Sequence, residues 1–437
     1  MPSPEVLGIL GFVAMFVLLA LGIHVGISMA VTGFFGCVLM LGFSRSLSQL
    51  VATPYFTVAD YSFIVLPMFI MMGELAFQGG IGVLLYKVAS KWLGRLPGGL
   101  AMATVAANAL FGAISGSTLA ATATFGKLAV PEMIRYNYDK KLATGVVASA
   151  GTLAVMIPPS GTMVIYCIMT EVSLGKLMMA GFVPGIIIAI VYMILIYFRV
   201  RFNPSLGPPI AEKPTWQERI SSIRWLIPLM VIVIVMLGGI YIGIFSPVEA
   251  GAVGAFTVLI VVLARRSLSF SQFKNAIINT TLTTGMICLV LMGAMVFGKF
   301  LMLTNLPTHL LNWVSGLQIP PMGVLVVILV IYIILGCILD VPSMLVITLP
   351  IFFPLLAGLG FDGVWLGILV ILEVEMGVIT PPIGMNVFVL KSVVGDEVSI
   401  GDIFRGIVPF FYMDLLVMVL LVAFPVLSLW LPSMMFS

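Results

Sequence analysis

Residues 157–163 read IPPSGTM and residues 379–386 read ITPPIGMN, each in the middle of a run apolar enough to cross a membrane. Proline has no backbone N–H, and its ring clashes with the preceding turn. Pro158-Pro159 and Pro381-Pro382 therefore interrupt the helices that the sequence otherwise predicts over 142–170 and 363–390. Backbone groups freed at bilayer depth cost several kcal/mol each unless something pairs with them. Both interruptions are polar: Ser160, Gly161 and Thr162 follow the first proline pair, and Thr380, Gly384 and Asn386 surround the second. The question that decides the fold is what those two openings are for.

Composition sets the solvent. Of the 437 residues 61% are hydrophobic and 8% charged, against about a quarter charged in a soluble globular chain. Apolar runs of roughly 18 or more residues recur along the whole length, which suits helical spans and not barrel strands of about ten alternating residues. The expected fold class is all-α integral membrane protein. The run from Val6 to Leu21 is read as the first span and not as a signal peptide, because MPSPE supplies no Lys or Arg. Cys37, Cys167, Cys288 and Cys337 all fall in apolar stretches without metal-like spacing, which argues against disulfides and zinc.

A repeat runs through the chain. GIHVGI (22–27) returns as GIYIGI (239–244), LPGG (96–99) as IPPMG (319–323), and FGAISGST (111–118) as LGCILDVPS (335–343). The first break returns as the second, and VSLGKLMMAGFVPG (172–185) as VSIGDIFRGIVPF (398–410). The order is the same in both halves, and from LPGG onward the offset stays at about 223 to 226 residues, the mark of a duplication. A first repeat is expected over 1–205 and a second over 225–437, joined by a linker at 206–224 within the polar stretch 199–224. Spans are read near 5–21, 25–42, 62–79, 142–170 and 177–198, then near 225–243, 248–264, 277–298, 363–390 and 406–432. Segments 98–131 and 320–357 are read as re-entrant helical hairpins.

Five crossings per half is odd, so the second repeat is inverted. With the N-terminus outside, all of the 20 Lys and Arg residues except Arg45, Lys176 and Lys299 fall on the cytoplasmic side, as the positive-inside rule requires. Both termini are predicted outside. Residues 84–95 and 299–314 are amphipathic at helical spacing, with Trp92 and Trp313 as interface anchors, and are predicted to lie along the membrane surface.

Each break is matched to a polar hairpin tip: Ser115-Gly116-Ser117-Thr118 in the first half and Asp340-Val341-Pro342-Ser343 in the second. Unwound carbonyls with hydroxyl, amide and carboxylate oxygens suit a hard cation such as Na⁺, and half-helix N-termini suit an anion. Matched interruptions in two inverted halves point to the midplane site of a secondary transporter. Asp340, a carboxylate at a re-entrant tip, is expected to hold a cation or a proton; as the residue before Val341-Pro342 it also suits a helix N-cap. Glu375 suits a cytoplasmic-facing or scaffold-contact role as well as it suits ion coupling. Lys127 and Lys299 are read as interface or partner contacts, and His24 and His309 as surface residues near span ends. No HExxH, Cys/His cluster or Walker loop is present, which excludes zinc catalysis and ATP drive. Neither histidine stands where a serine protease would need its base.

FGAISGSTLAATATFG, GTLAVMIPPSGTMVIYC, GCILDVPSMLVITLPIFFPL and EVEMGVITPPIGMNVFVLK resemble the large, DctM-type membrane subunit of tripartite ATP-independent periplasmic (TRAP) transporters, over essentially the whole chain. The resemblance implies a bacterial inner-membrane, multi-pass, Na⁺-driven importer of organic acids such as C4-dicarboxylates or sialic acid. It implies an elevator-type architecture of the ion transporter superfamily, a periplasmic substrate-binding protein and a small four-helix membrane subunit as partners. No cofactor beyond Na⁺ and no nucleic acid is implied. Carried over by position, Na⁺ would be held by Ser115, Gly116 and Ser117 with Pro158, Gly161 and Thr162, and by Gly336 and Asp340 with Thr380, Gly384 and Asn386. Substrate would meet Ser117, Thr118, Ser160, Asp340, Ser343 and Asn386. Among the family's branches the sequence looks closest to the sialic-acid one. The alternative is a stand-alone Na⁺/dicarboxylate-type symporter without a binding protein.

Overall fold

The computed structural model describes residues 3–209, 214–317 and 319–434, and among these the regular structure is helical throughout, with no strand. Positions 210–213 of the expected linker, and the extreme termini whose side the charge pattern assigns, lie outside the described residues. The first helices, α1 (Pro4–Ala20) and α2 (Val25–Leu41), turn about His24, whose Nδ1 accepts the Gly26 N–H at 3.3 Å. The histidine is thus an N-cap, and it sits exposed at the end of a span as the sequence suggests.

The next element departs from expectation. Residues between the second and third spans form a full helix, α3 (Phe43–Ala59), followed at Asp60 by a short 3₁₀ turn (Tyr61–Ile64) and α4 (Val65–Gln78). Ser, Gln and Thr dilute the apolar residues of α3, so it has no span-like run. Its Phe43, Val51, Tyr55 and Phe56 are nonetheless exposed, while Ser46, Thr53 and Thr57 face inward. Asp60 fixes the corner by accepting the Ser62 N–H at 2.7 Å.

From there the boundaries follow the sequence reading closely. Helix α5 (Ile81–Leu93) leads into a helical hairpin, α6 (Gly99–Ser115) and α7 (Thr118–Arg135), joined by two residues. The first broken helix comprises α8 (Lys140–Gly151), α9 (Leu153–Met156) and α10 (Gly161–Thr170), bent by 46° across the proline pair. A long helix, α11 (Leu174–Phe202), then runs to the polar stretch, where Thr215 and Glu218 close a capping box on α12 (Trp216–Ile223).

After α12, α13 (Ile227–Val233) and α14 (Gly239–Tyr241) flank a π-helical segment at Ile234–Gly238. Next come α15 (Pro247–Ala264) and α16 (Phe270–Leu303). The 34 residues of α16 span roughly 50 Å at 1.5 Å per residue, well beyond a hydrocarbon core of about 30 Å. It absorbs Lys299, which the sequence assigned to the start of a surface helix. The helix that follows, α17 (Leu306–Gly316), is correspondingly shorter, and its His309 meets Glu5 of α1 at 3.1 Å. The second hairpin is α18 (Pro321–Gly336) and α19 (Val341–Gly358), and the second broken helix is α20 (Gly363–Gly377) and α21 (Met385–Val394). Helix α22 (Ile400–Ala423) ends at Phe424-Pro425, and α23 (Val426–Met434) closes the described chain, so the expected span 406–432 is two helices. The first hairpin and the broken helices supply much of the core: every residue of α20 from Val364 to Gly377 is buried, whereas α18 of the second hairpin exposes Val326, Val327, Val330 and Ile334.

Candidate functional site

At the first tip, α6 ends at Gly116, which takes a left-handed φ of +55°, and Ser117 starts α7 by accepting the Ala120 N–H at 3.3 Å. Gly116 is required twice over. A side chain there would be strained by the φ, and its Cβ would stand 2.6 Å from the Pro159 carbonyl. The first tip therefore rests directly on the first break. That break runs from Ile157 through a cis Pro158-Pro159 bond to Ser160, whose hydroxyl caps α10 by accepting the Met163 N–H at 3.4 Å. Ser160 and Thr162 are buried, and so is Ser115, whose hydroxyl has no hydrogen-bond partner.

The second tip and break meet in the same way. Asp340 caps α19, its Oδ2 accepting the Ser343 N–H at 3.4 Å, so the N-cap role is met. The Ile383 N–H donates to the Cys337 carbonyl at 3.3 Å, tying the break to the tip. Gly336 and Gly377 let α18 and α20 touch, since a Cβ on Gly336 would come within 2.7 Å of the Gly377 Cα. Thr380 donates its hydroxyl back to the Met376 carbonyl at 2.6 Å, Gly384 takes a φ of +61°, and the Asn386 N–H reaches the Val378 carbonyl at 3.1 Å. The two sites differ in cover. Pro158, Pro159 and Ser160 are buried, whereas Pro381, Pro382 and Ile383 are exposed.

Two of the contacts that join the halves lie at the tips and breaks. The Thr118 hydroxyl, at the start of α7, donates to Glu375 Oε2 at 2.6 Å, and the Asn386 side-chain amide donates to the Ala148 carbonyl at 3.2 Å. Glu375 thus makes a contact between the first hairpin and the second broken helix. Asn386 is fully buried and points across to α8, while its Oδ1 is unpaired. Around Gly151 the helices close on a polar spot: Thr122 Oγ1 abuts the place a Cβ would occupy, and the Asn386 amide nitrogen is 3.5 Å from it. Thr122 and Ser149 also have buried, unpaired hydroxyls, and sequence reasoning passed over both. Small polar residues in a Ser/Thr/Ala-rich helix carry no signal of their own.

Chemically, each site offers two helix N-termini, α7 with α10 and α19 with α21, and irregular backbone with hydroxyl or carboxylate oxygens beside it. N–H groups and dipoles there favour an anion; the oxygens favour a hard cation. Lys127 and Lys299 are exposed, and no basic side chain contacts either tip in the described hydrogen bonds and ion pairs.

A family model described as "Tripartite ATP-independent periplasmic transporter, DctM component" matches residues 12–427. A C4-dicarboxylate TRAP transporter large permease protein from Pseudomonas aeruginosa is 33% identical over 403 residues, 92% of this chain and 93% of its own length. The ectoine TRAP transporter large permease protein of Halomonas elongata is 31% identical, covering 96% of this chain and 97% of its own. Among solved structures, the YdaH transporter of Alcanivorax borkumensis superposes with a TM-score of 0.59 over 87% of this chain and 89% of its own. At 14% identity it bears on the fold alone.

Proposed function

The chain belongs to the DctM family of TRAP-transporter large permease components, a transporter component and not an enzyme, and from that premise we propose that it is the Na⁺-coupled permease of an organic-acid importer. The observation that carries this is the seating of each hairpin tip on a proline-broken helix, with polar oxygens and helix N-termini at both contacts. Na⁺ sits between the Ser115–Ser117 tip and the Pro158–Thr162 break, and between Asp340 and the Thr380–Gly384 break. The substrate carboxylate lies between the two tips, met by N–H groups and hydroxyls. Helix dipoles at partly buried termini contribute up to about 2 kcal/mol each to anion binding.

The two-repeat organisation gains support from recurrences at one offset. Ser117 and Asp340 cap the second helix of each hairpin, and Asp139 and Asp362 cap the start of each broken helix. The close approach of Gly112 to Ala154 is repeated by that of Gly336 to Gly377. On this reading the hairpins and broken helices move as a block against the remaining helices, both termini are periplasmic, and the membrane is the bacterial inner one. A small membrane subunit and a periplasmic binding protein complete the system. The names of the relatives favour a C4-dicarboxylate over sialic acid as cargo.

Reconstituted with its small subunit, the permease should accumulate dicarboxylate only when the binding protein is supplied. Equal uptake without that protein would favour the stand-alone symporter.

A further inference from the structure

Three carboxylates are buried on long apolar helices, and none of them belongs to the proposed Na⁺ sites. Asp414 on α22 is 2% exposed, and Glu373 and Glu375 on α20 are 1% exposed each. The Tyr192 hydroxyl on α11 stands 2.7 Å from both oxygens of Asp414, donating to that carboxylate. Helix α22, which carries Asp414, packs against α20, which carries both glutamates. Glu375 Oε2 accepts the Thr118 hydroxyl and its Oε1 is buried without a partner, as is Glu373 Oε2; Glu373 receives no hydrogen bond at either oxygen among the described contacts.

The groups that face this cluster bring no positive charge. On α11, which packs against both α20 and α22, the facing group is Tyr192; Lys176, Arg199 and Arg201 stand toward its ends. On α8, Lys141 reaches Asp402 at the start of α22 and Lys140 donates to the Glu397 carbonyl. On α22 itself, Arg405 pairs with Asp402 and Tyr412 is exposed. On α21, Lys391 is engaged with Asp396 and the carbonyls of Gly395 and Val398. Of the other neighbours of α20, α10 offers Tyr166, bonded to the Gly363 carbonyl, and Cys167; α18 offers Tyr332, near Thr348, and Cys337; α9, α19 and α23 carry no titratable group. An ionised carboxylate without a cation is among the costliest groups to bury, and adjacent acids relieve the cost by sharing protons.

We propose that Glu373, Asp414 and Tyr192 form a proton-binding site between α11, α20 and α22, with the proton carried on Glu373. Asp414 takes the Tyr192 hydrogen bond and is the carboxylate; Glu373, with no donor, is the acid. Binding forms one O–H bond on Glu373 from a solvent proton, and no other bond changes. Losing that proton puts a second negative charge between α20 and α22, against the wall of the second break, so transport by this chain should depend on pH apart from its dependence on Na⁺.

Infrared spectroscopy of the full-length permease reads the site without substrate or sodium. The protonated-carboxyl stretch at about pH 7 should lose a component in Glu373→Gln that Glu375→Gln retains. In proteoliposomes, wild-type uptake should fall as pH rises, roughly tenfold per unit once the proton leaves, while Glu373→Gln, which mimics the neutral acid, stays active and flat. Absence of the band at neutral pH, or a band undiminished in Glu373→Gln, overturns the proposal. A pH profile in that variant equal to wild type overturns the transport link. If Glu373→Gln does not fold, the band in Glu375→Gln at pH 7 and its disappearance at alkaline pH decide the matter, and a spectrum without either refutes the proposal.

Discussion

At the residue scale, the side chains that carry the account are few and separable. Asp340 does two things at once: it caps α19 and places a carboxylate at the second tip. Asparagine caps about as well as aspartate, whereas alanine costs roughly 1 kcal/mol at an N-cap. Asp340→Asn should keep the thermal stability of the wild type and lose Na⁺-dependent uptake; Asp340→Ala should lose both. Uptake by Asp340→Asn at the wild-type rate would reduce Asp340 to a cap. Thr118→Val tests the contact between halves, because it strips a buried Glu375 oxygen of its donor. The expected cost is about 1–3 kcal/mol, measurable as a lower unfolding midpoint in detergent.

At the element scale, packing is set by close approaches that tolerate no side chain. Gly145 on α8 and Gly406 on α22 stand so close that a Cβ on Gly145 would collide with the Gly406 carbonyl, and one on Gly406 with the Lys141 carbonyl. Gly406→Val should destabilise the permease by about 1–3 kcal/mol or more, as overpacking does. Gly285, in the middle of α16, has no other atom within 4 Å of the place a methyl would occupy, so Gly285→Ala should be neutral or stabilising by up to about 1 kcal/mol; unfolding curves of the two variants should diverge accordingly. The elements themselves were largely legible in the sequence: both hairpins and both breaks fall within a few residues of their expected bounds, because prolines, caps and apolar runs are local signals. Helix α3 was not legible, since its apolar residues face outward and are diluted by Ser, Gln and Thr. Nor was the continuity of α16 through Lys299, which depends on what surrounds the helix and not on its own residues. Within the site, tips and breaks announced themselves through glycine and proline. The reach of Asn386 to α8, and the meeting of Asp414 with Tyr192, are tertiary facts. A lone aspartate in FFYMDLLVMVLL was the one hint of the latter.

At the scale of the whole molecule, the account makes the chain a two-fold repeated permease whose orientation follows its positive charges. Single cysteines placed at Arg201 and at Ser173, at opposite ends of α11, should label from opposite sides of an inner-membrane vesicle; labelling of both from one side would contradict the topology. The central claim is that the twin tip-and-break sites couple an ion gradient to organic-acid import. Its most direct test is uptake of a radiolabelled C4-dicarboxylate into proteoliposomes holding this permease, its small membrane subunit and its binding protein, with the sodium gradient as the only variable. Accumulation above the external concentration under inward Na⁺, abolished when K⁺ replaces Na⁺, is the result expected; accumulation that is the same with and without Na⁺ would contradict the account.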